Sequence, residues 1–128
     1  KELGKKPLLE IVDFASSGLN PAVMGIGPIF AIQKLLDKTG VSLDQVELIE
    51  LNEAFASQSI ACIRALGLDP ARVNPNGGAI ALGHPLGATG AVLTTKAAYA
   101  MQNAEREYCI VSMCVGGGEG AAALFRRP

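Results

Sequence analysis

The chain is poor in the residues that build metal sites, covalent staples and charged interfaces. It has one histidine, His84, and three cysteines, Cys62, Cys109 and Cys114, in 128 residues. An odd cysteine count with no legible secretory signal points to reduced thiols rather than a disulfide framework. A zinc site needs a recognisable ligand set such as a paired C-x-x-C, and Cys109 and Cys114 stand five apart in a strand-like run, so their side chains point to opposite faces. No metal site is expected. Charge of one sign is missing too: 11 basic against 12 acidic side chains leave a net charge of −1, with no footprint for nucleic acid and no polybasic face for a membrane. Every apolar run is interrupted by Lys, Asp, Glu or Gly before it reaches the length that spans a bilayer. A start at Lys1 rather than methionine reads as a processed chain or a fragment.

What is present is a sequence 49% hydrophobic and only 18% charged, long enough to bury one real core as a single domain. Leu8 to Phe14 reads as a strand, followed by a loop rich in Gly and Pro. Pro28 suits a first helical turn, and Ile29, Ile32, Leu35 and Leu36 recur on one face until Gly40 stops the helix. Ser42 to Gln45 has the spacing of a capping box, and Val46 to Leu51 is a second strand. A helix is expected from about Ala54 to Leu66, with Gly67 as its stop. Val73-Asn74 reads as a short third strand, and a Gly-rich loop runs from Asn76 to Gly90. A helix from about Ala91 to Ala104 carries Lys96 as its one charge up to Met101; being apolar nearly all round, it calls for cover on more than one side. Tyr108 to Cys114 and Ala121 to Phe125 complete five strands, the last two antiparallel because only a short glycine turn joins them. The alternation predicts a three-layer α/β fold: a mixed five-stranded sheet with helices on both faces.

The polar residues of interest stand where strands end, the usual place for sites in such folds. On position alone, Asn52 is first a helix cap, and Glu53 a first-turn carboxylate facing the helix dipole. Cys114 reads as a small apolar residue at a strand end, and Cys62 and Cys109 belong to the core. His84 is different. A sole histidine among glycines, followed by Pro85, is a poor core residue and a good positioned one. The glycines of Gly83-x-x-x-Gly87-x-x-Gly90 and Gly116-Gly-Gly-Glu-Gly120 match neither the dinucleotide fingerprint nor a Walker loop. Their role is to let backbone pass close to a substrate and hold N–H groups toward it.

Asn52-Glu-Ala-Phe55, then Asn76-Gly-Gly-Ala-Ile-Ala-Leu-Gly-His84-Pro85-Leu-Gly-Ala-Thr-Gly90, then Cys114-Val-Gly116-Gly-Gly resemble the three C-terminal motifs of the thiolase family, in that family's order and spacing. The resemblance extends over nearly the whole chain, including Met24-Gly-Ile-Gly-Pro28. It implies the C-terminal half of a fold built from two similar α/β halves, with helices between their sheets. The family's acyl-accepting cysteine lies in an N-terminal Cys-x-Ser motif, and no cysteine here is followed two residues later by Ser. Glu119 also departs from the neutral residue expected at its position.

By that resemblance the function is acyl transfer: thiolytic cleavage of a 3-ketoacyl-CoA, or the reverse Claisen condensation. His84 would activate the nucleophilic cysteine and, with a water held by Asn52, bind the enolate oxygen of acetyl-CoA. Cys114 would be the general acid and base, and the Gly116 N–H a second oxyanion donor. Coenzyme A and acyl-CoA enter as substrates, with no cofactor expected and no separate cofactor-binding residue assigned. The expected partners are an N-terminal thiolase half and, in the full enzyme, further copies forming a dimer or tetramer. Alone, the chain is expected to be inactive. A bacterial cytoplasmic location is the default, mitochondrial or peroxisomal if the source is eukaryotic. The competing possibilities are a non-catalytic thiolase-like module that binds acyl-CoA or stabilises a partner subunit, and a ketoacyl synthase-type condensing enzyme. The latter shares the fold but not the cysteine-glycine motif.

Overall fold

Two buried apolar clusters, one on each face of a single sheet, organise the chain. The computed structural model describes residues 3–103 and 106–128. Its strands are β1 (Glu10–Gly18), β2 (Val46–Leu51), β3 (Tyr108–Val115) and β4 (Glu119–Arg126), in the order β1-β4-β3-β2. β3 and β4 are antiparallel, as the short glycine turn between them requires, and β1 runs antiparallel to β4. β2 and β3 are parallel, which obliges the chain between them to cross over the sheet.

On one face lies α1 (Gly27–Thr39) with α2 (Ala56–Leu66); on the other lies α4 (Thr89–Asn103), after a single helical turn, α3 (Ala79–Leu82). α1 carries Pro28 in its first turn and is capped by Gly40, whose φ of 72° lets its N–H close back on the Leu36 carbonyl at 2.9 Å. Ala31, Ile32 and Leu35 have no exposure and meet Ile49, Leu51, Ile110 and Leu124 of the sheet. Each side chain the size of Ile32 or Leu35 contributes roughly 1.5–3 kcal/mol by burial. The second cluster joins Leu93, Ala97 and Met101 of α4 to Leu48, Cys109, Val111 and Phe125. The alternation of Cys109 and Ile110 between the two clusters puts Cys114, of the same parity as Ile110, on the face opposite Cys109.

The sheet has four strands, not the expected five. Val73 makes only one isolated parallel bridge, to Ile49. The chain cannot extend that pairing, because Asn74 adopts a left-handed φ of 47° and Pro75 has no N–H to give. The Asn74 side chain substitutes for the missing strand. Its Oδ1 accepts the Leu51 N–H at 2.9 Å, and its Nδ2 donates to the Leu51 carbonyl at 2.8 Å.

Cover on the α4 face is incomplete. The helix lies over β2 and β3, burying Leu93, Ala97, Ala100 and Met101, while Val92 and Tyr99 point outward at 37% and 59% exposure. Beside it, the β1 edge of the same face is bare: Ile11 and Phe14 are 70% and 69% exposed. Phe14, Thr94, Val111, Met113, Ala121 and Ala123 line an open apolar cleft of about 300 Å³ there. The expected last residue of this helix, Ala104, lies outside the described residues. Among the described residues no helix is long and apolar enough to cross a membrane.

Candidate active site

Because β2 and β3 are parallel, both finish at the same end of the sheet, and the sequence motifs gather there. Leu51 pairs with Ser112, and the Asn52 N–H continues the ladder to the Ser112 carbonyl at 2.9 Å. Cys114 and Val115 close β3 at that end, and Gly116 to Gly118 make the turn into β4. The loop after Asn74 crosses the same end and delivers His84 onto Asn52.

Hydrogen-bond contacts hold the His84 ring at both nitrogens. The Thr89 hydroxyl donates its one proton to the Pro85 carbonyl at 2.9 Å. With that proton on Pro85, the Thr89 oxygen, 2.6 Å from His84 Nδ1, is placed to accept from an Nδ1–H. Nε2 is left with its lone pair and accepts from Asn52 Nδ2 at 3.3 Å. His84 itself is exposed, whereas Asn52 and Thr89 are buried. Asn52 Oδ1 is buried with no partner among the described residues. The arrangement orients the ring: Nδ1 is held by Thr89, and Nε2 lies beside Asn52.

Asn52 caps nothing. α2 starts only at Ala56, and the alternation of β2, with Glu50 facing Lys96 of α4, carries Asn52 to the α4 side where the loop arrives. Glu53 does face a helix N-terminus, but that of α3 rather than α2: its Oε2 accepts the Ile80 N–H at 3.0 Å. Its Oε1 accepts from Asn74 Nδ2 at 3.4 Å. Gly78 packs directly on this carboxylate, and a Cβ there would sit 2.7 Å from Oε1. A third anchor had not been singled out from sequence. Lys96 Nζ donates to Glu50 Oε2 at 2.6 Å and to the Gly77 carbonyl. The lone charge on an otherwise apolar helix was the available signal for it.

Cys114 is half-buried, and burial pushes its thiol above the ordinary value, partly offset by a backbone N–H. No hydrogen bond among the described residues links it to His84; the two share the end of the sheet, Cys114 from the α1 side and Asn52–His84 from the α4 side. Cys62 is buried against Gln58 and the Gly25 carbonyl, both 3.7 Å from its sulfur, and burial raises its thiol as well. Cys109, with no exposure and the Glu50 carboxylate adding to burial, is pushed up to about 12. Gly116 is exposed, and a Cβ on it would meet nothing within 4 Å, so packing does not account for a glycine there. Among the described residues no three His, Cys, Asp or Glu side chains gather into a metal-binding group.

Comparison with known proteins covers nearly the whole chain. The family model described as the C-terminal domain of thiolase matches residues 5–127. Beta-ketothiolase BktB of Cupriavidus necator is 49% identical over 124 residues, covering 97% of this chain and 32% of the relative. The 3-ketoacyl-CoA thiolase of Bacillus subtilis is 52% identical over 123 residues, covering 96% and 32%. Among solved structures, the Bacillus anthracis acetyl-CoA acetyltransferase superposes with a TM-score of 0.96 at 43% identity, over 99% of this chain and 32% of that one. Human mitochondrial 3-ketoacyl-CoA thiolase in complex with CoA gives 0.94 at 45% identity, over 96% and 31%. The chain thus spans about a third of the length of the relatives it matches.

Proposed function

The chain belongs to the thiolase family, and from that premise we propose that it supplies the acid–base half of an acyl-CoA acyltransferase site. The nucleophilic cysteine would come from the part of the protein that corresponds to the remaining two-thirds of its relatives. In thiolysis, His84 Nε2 takes the proton of that cysteine. A free thiol near pKa ~8.5 is only slightly ionised at neutral pH, so a positioned imidazole raises the usable thiolate. The thiolate attacks the 3-keto carbon, and the carbon–carbon bond breaks with its electron pair leaving as the acetyl-CoA enolate. His84, now protonated at Nε2, donates to the enolate oxygen. A water held by Asn52 would turn a hydrogen to the same oxygen. One such donor is worth about 3–4 kcal/mol in a dry site.

The Cys114 thiol protonates the enolate carbon. Its raised pKa suits this step, because the group must arrive protonated. The resulting thiolate then takes the proton of the incoming coenzyme A, which attacks the acyl-cysteine and releases the shortened acyl-CoA. Condensation is the same sequence reversed. The Gly116 N–H would serve the oxyanion of the acyl-transfer step. The bare β1 edge and its apolar cleft support a place for the second half of the fold, and the full protein would assemble further as a dimer or tetramer.

The observation that carries this reading is the oriented His84, with Nδ1 held by Thr89 and Nε2 beside a buried Asn52. Thiolysis of acetoacetyl-CoA by the purified chain, followed through the absorbance of the enolate–magnesium complex, tests it. The chain alone should show no turnover above buffer. Turnover by the isolated chain that Cys114→Ser abolishes would overturn the need for a separate nucleophile.

A further inference from the structure

His84 is held at two points on one helix. Thr89, in the first turn of α4, binds its Nδ1. Seven residues on, two turns later on the same helix face, Lys96 binds the Gly77 carbonyl, at the start of the loop that carries His84. Lys96 is in turn seated on Glu50, a carboxylate with no exposure at the C-terminal end of β2, two residues before Asn52. Thr89, Lys96 and Asn52 line one narrow cavity under the loop, with Gly78 and Gly83 as its roof. Burial pushes the Glu50 carboxyl up and Lys96 opposes the shift, while Glu50 Oε1 has no partner among the described residues. A buried ion pair is weak support for stability by itself, since desolvation cancels much of its attraction. Its placement accounts for it better: it fixes the near end of the loop to the strand that carries Asn52.

We propose that Lys96 is a positioning residue for the acid–base site, bridging Glu50 and the Gly77 carbonyl so that the loop presents His84 Nε2 to Asn52. The proposal rests on the reading of His84 as the site's base, but its test does not. His84 is the one histidine in the chain, so its ring nitrogens give unambiguous signals in ¹⁵N-edited NMR. The wild-type chain should show Nδ1 protonated and Nε2 bare when the ring is neutral. Lys96→Met removes the bond to Gly77. Glu50→Gln/Lys96→Met removes it without leaving a buried carboxylate unpaired, and so guards against simple unfolding. Glu50→Gln alone keeps Lys96 on Gly77.

With fold checked by circular dichroism, Lys96→Met and the double variant should lower the ratio of the Nδ1–H to the Nε2–H tautomer about five- to tenfold, the weight of one hydrogen bond. Glu50→Gln should leave the ratio within about twofold of wild type on the same scale. A double variant that stays folded with a wild-type tautomer ratio overturns the proposal, as does a wild-type chain dominated by Nε2–H. The tautomer responding as expected while a complete enzyme shows no thiolysis would sink the functional reading and leave this one standing.

Discussion

Gly120→Ala is a perturbation whose magnitude the structure defines. The start of α1 crosses β4 with backbone against backbone: a Cβ on Gly120 would fall inside the van der Waals radius of the Gly27 carbonyl, and one on Gly27 would lie 2.8 Å from the Glu119 carbonyl carbon. No rotamer change relieves this, because both partners are main chain. α1 must lift from the sheet, loosening Ala31, Ile32 and Leu35 in the core they fill. Overpacking costs about 1–3 kcal/mol when side chains can adjust, so a backbone clash belongs at the top of that range, about 3 kcal/mol. Against a total stability of roughly 5–15 kcal/mol this is a large fraction. For a chain of this size it corresponds to a Tm lower by roughly 10 °C. Urea unfolding by circular dichroism measures it, with Gly87→Ala as control. Gly87 has neither a left-handed φ nor any atom within 4 Å of an added Cβ, and its substitution should stay within about 0.5 kcal/mol of wild type. A Gly120→Ala chain equally close to wild type would refute the packing of α1 on β4.

The remaining expectations concern thiols and surfaces. At pH 9, iodoacetamide should modify Cys114 first. Cys109, pushed up to about 12 and unexposed, should react only on unfolding, and mass spectrometry of timed samples gives the order. Modification of Cys109 ahead of Cys114 would contradict the assignment of faces. The purified chain should self-associate through the bare β1 edge, and Phe14→Glu should shift sedimentation toward monomer, because Phe14 is 69% exposed there. Ala97→Glu should destabilise the fold, because Ala97 has no exposure and faces the sheet.

How much of this was legible in the sequence depends on what decided each element. α1 could be read to within a residue because Pro28 and Gly40 punctuate it, and β2 because Val46 to Leu51 is an apolar run bounded by turns. β1 was expected to stop at Phe14 yet continues to Gly18 through Ala15-Ser-Ser. Those residues have little strand preference of their own, and pairing with Gly120 to Ala122 of β4 imposes it. Val73 has the β-branched side chain of a strand, but a proline and a left-handed asparagine after it leave one bridge. The turn α3 was hidden in a glycine-rich loop because what stabilises it, the Glu53 carboxylate, arrives from 27 residues away. At the site, the solitary His84 stood out by type. Asn52 read as a cap because sequence shows where a residue stands along the chain and not which face of β2 its side chain takes. Lys96 was visible as the only charge on its helix; Glu50, its partner 46 residues away, was one glutamate among several.

The central claim, that this chain carries the acid–base half of a thiolase site, is tested most directly by transplanting it. Replacing the corresponding third of the Bacillus subtilis 3-ketoacyl-CoA thiolase with this chain, at 52% identity, supplies the rest of such a protein. Thiolysis of a 3-ketoacyl-CoA by the chimera is then measured beside its Cys114→Ala variant. The account predicts an active chimera whose rate falls by roughly 10²–10⁴ with Cys114→Ala, the range for a lost general acid–base group. A folded chimera without activity, or one whose rate survives Cys114→Ala, would contradict it.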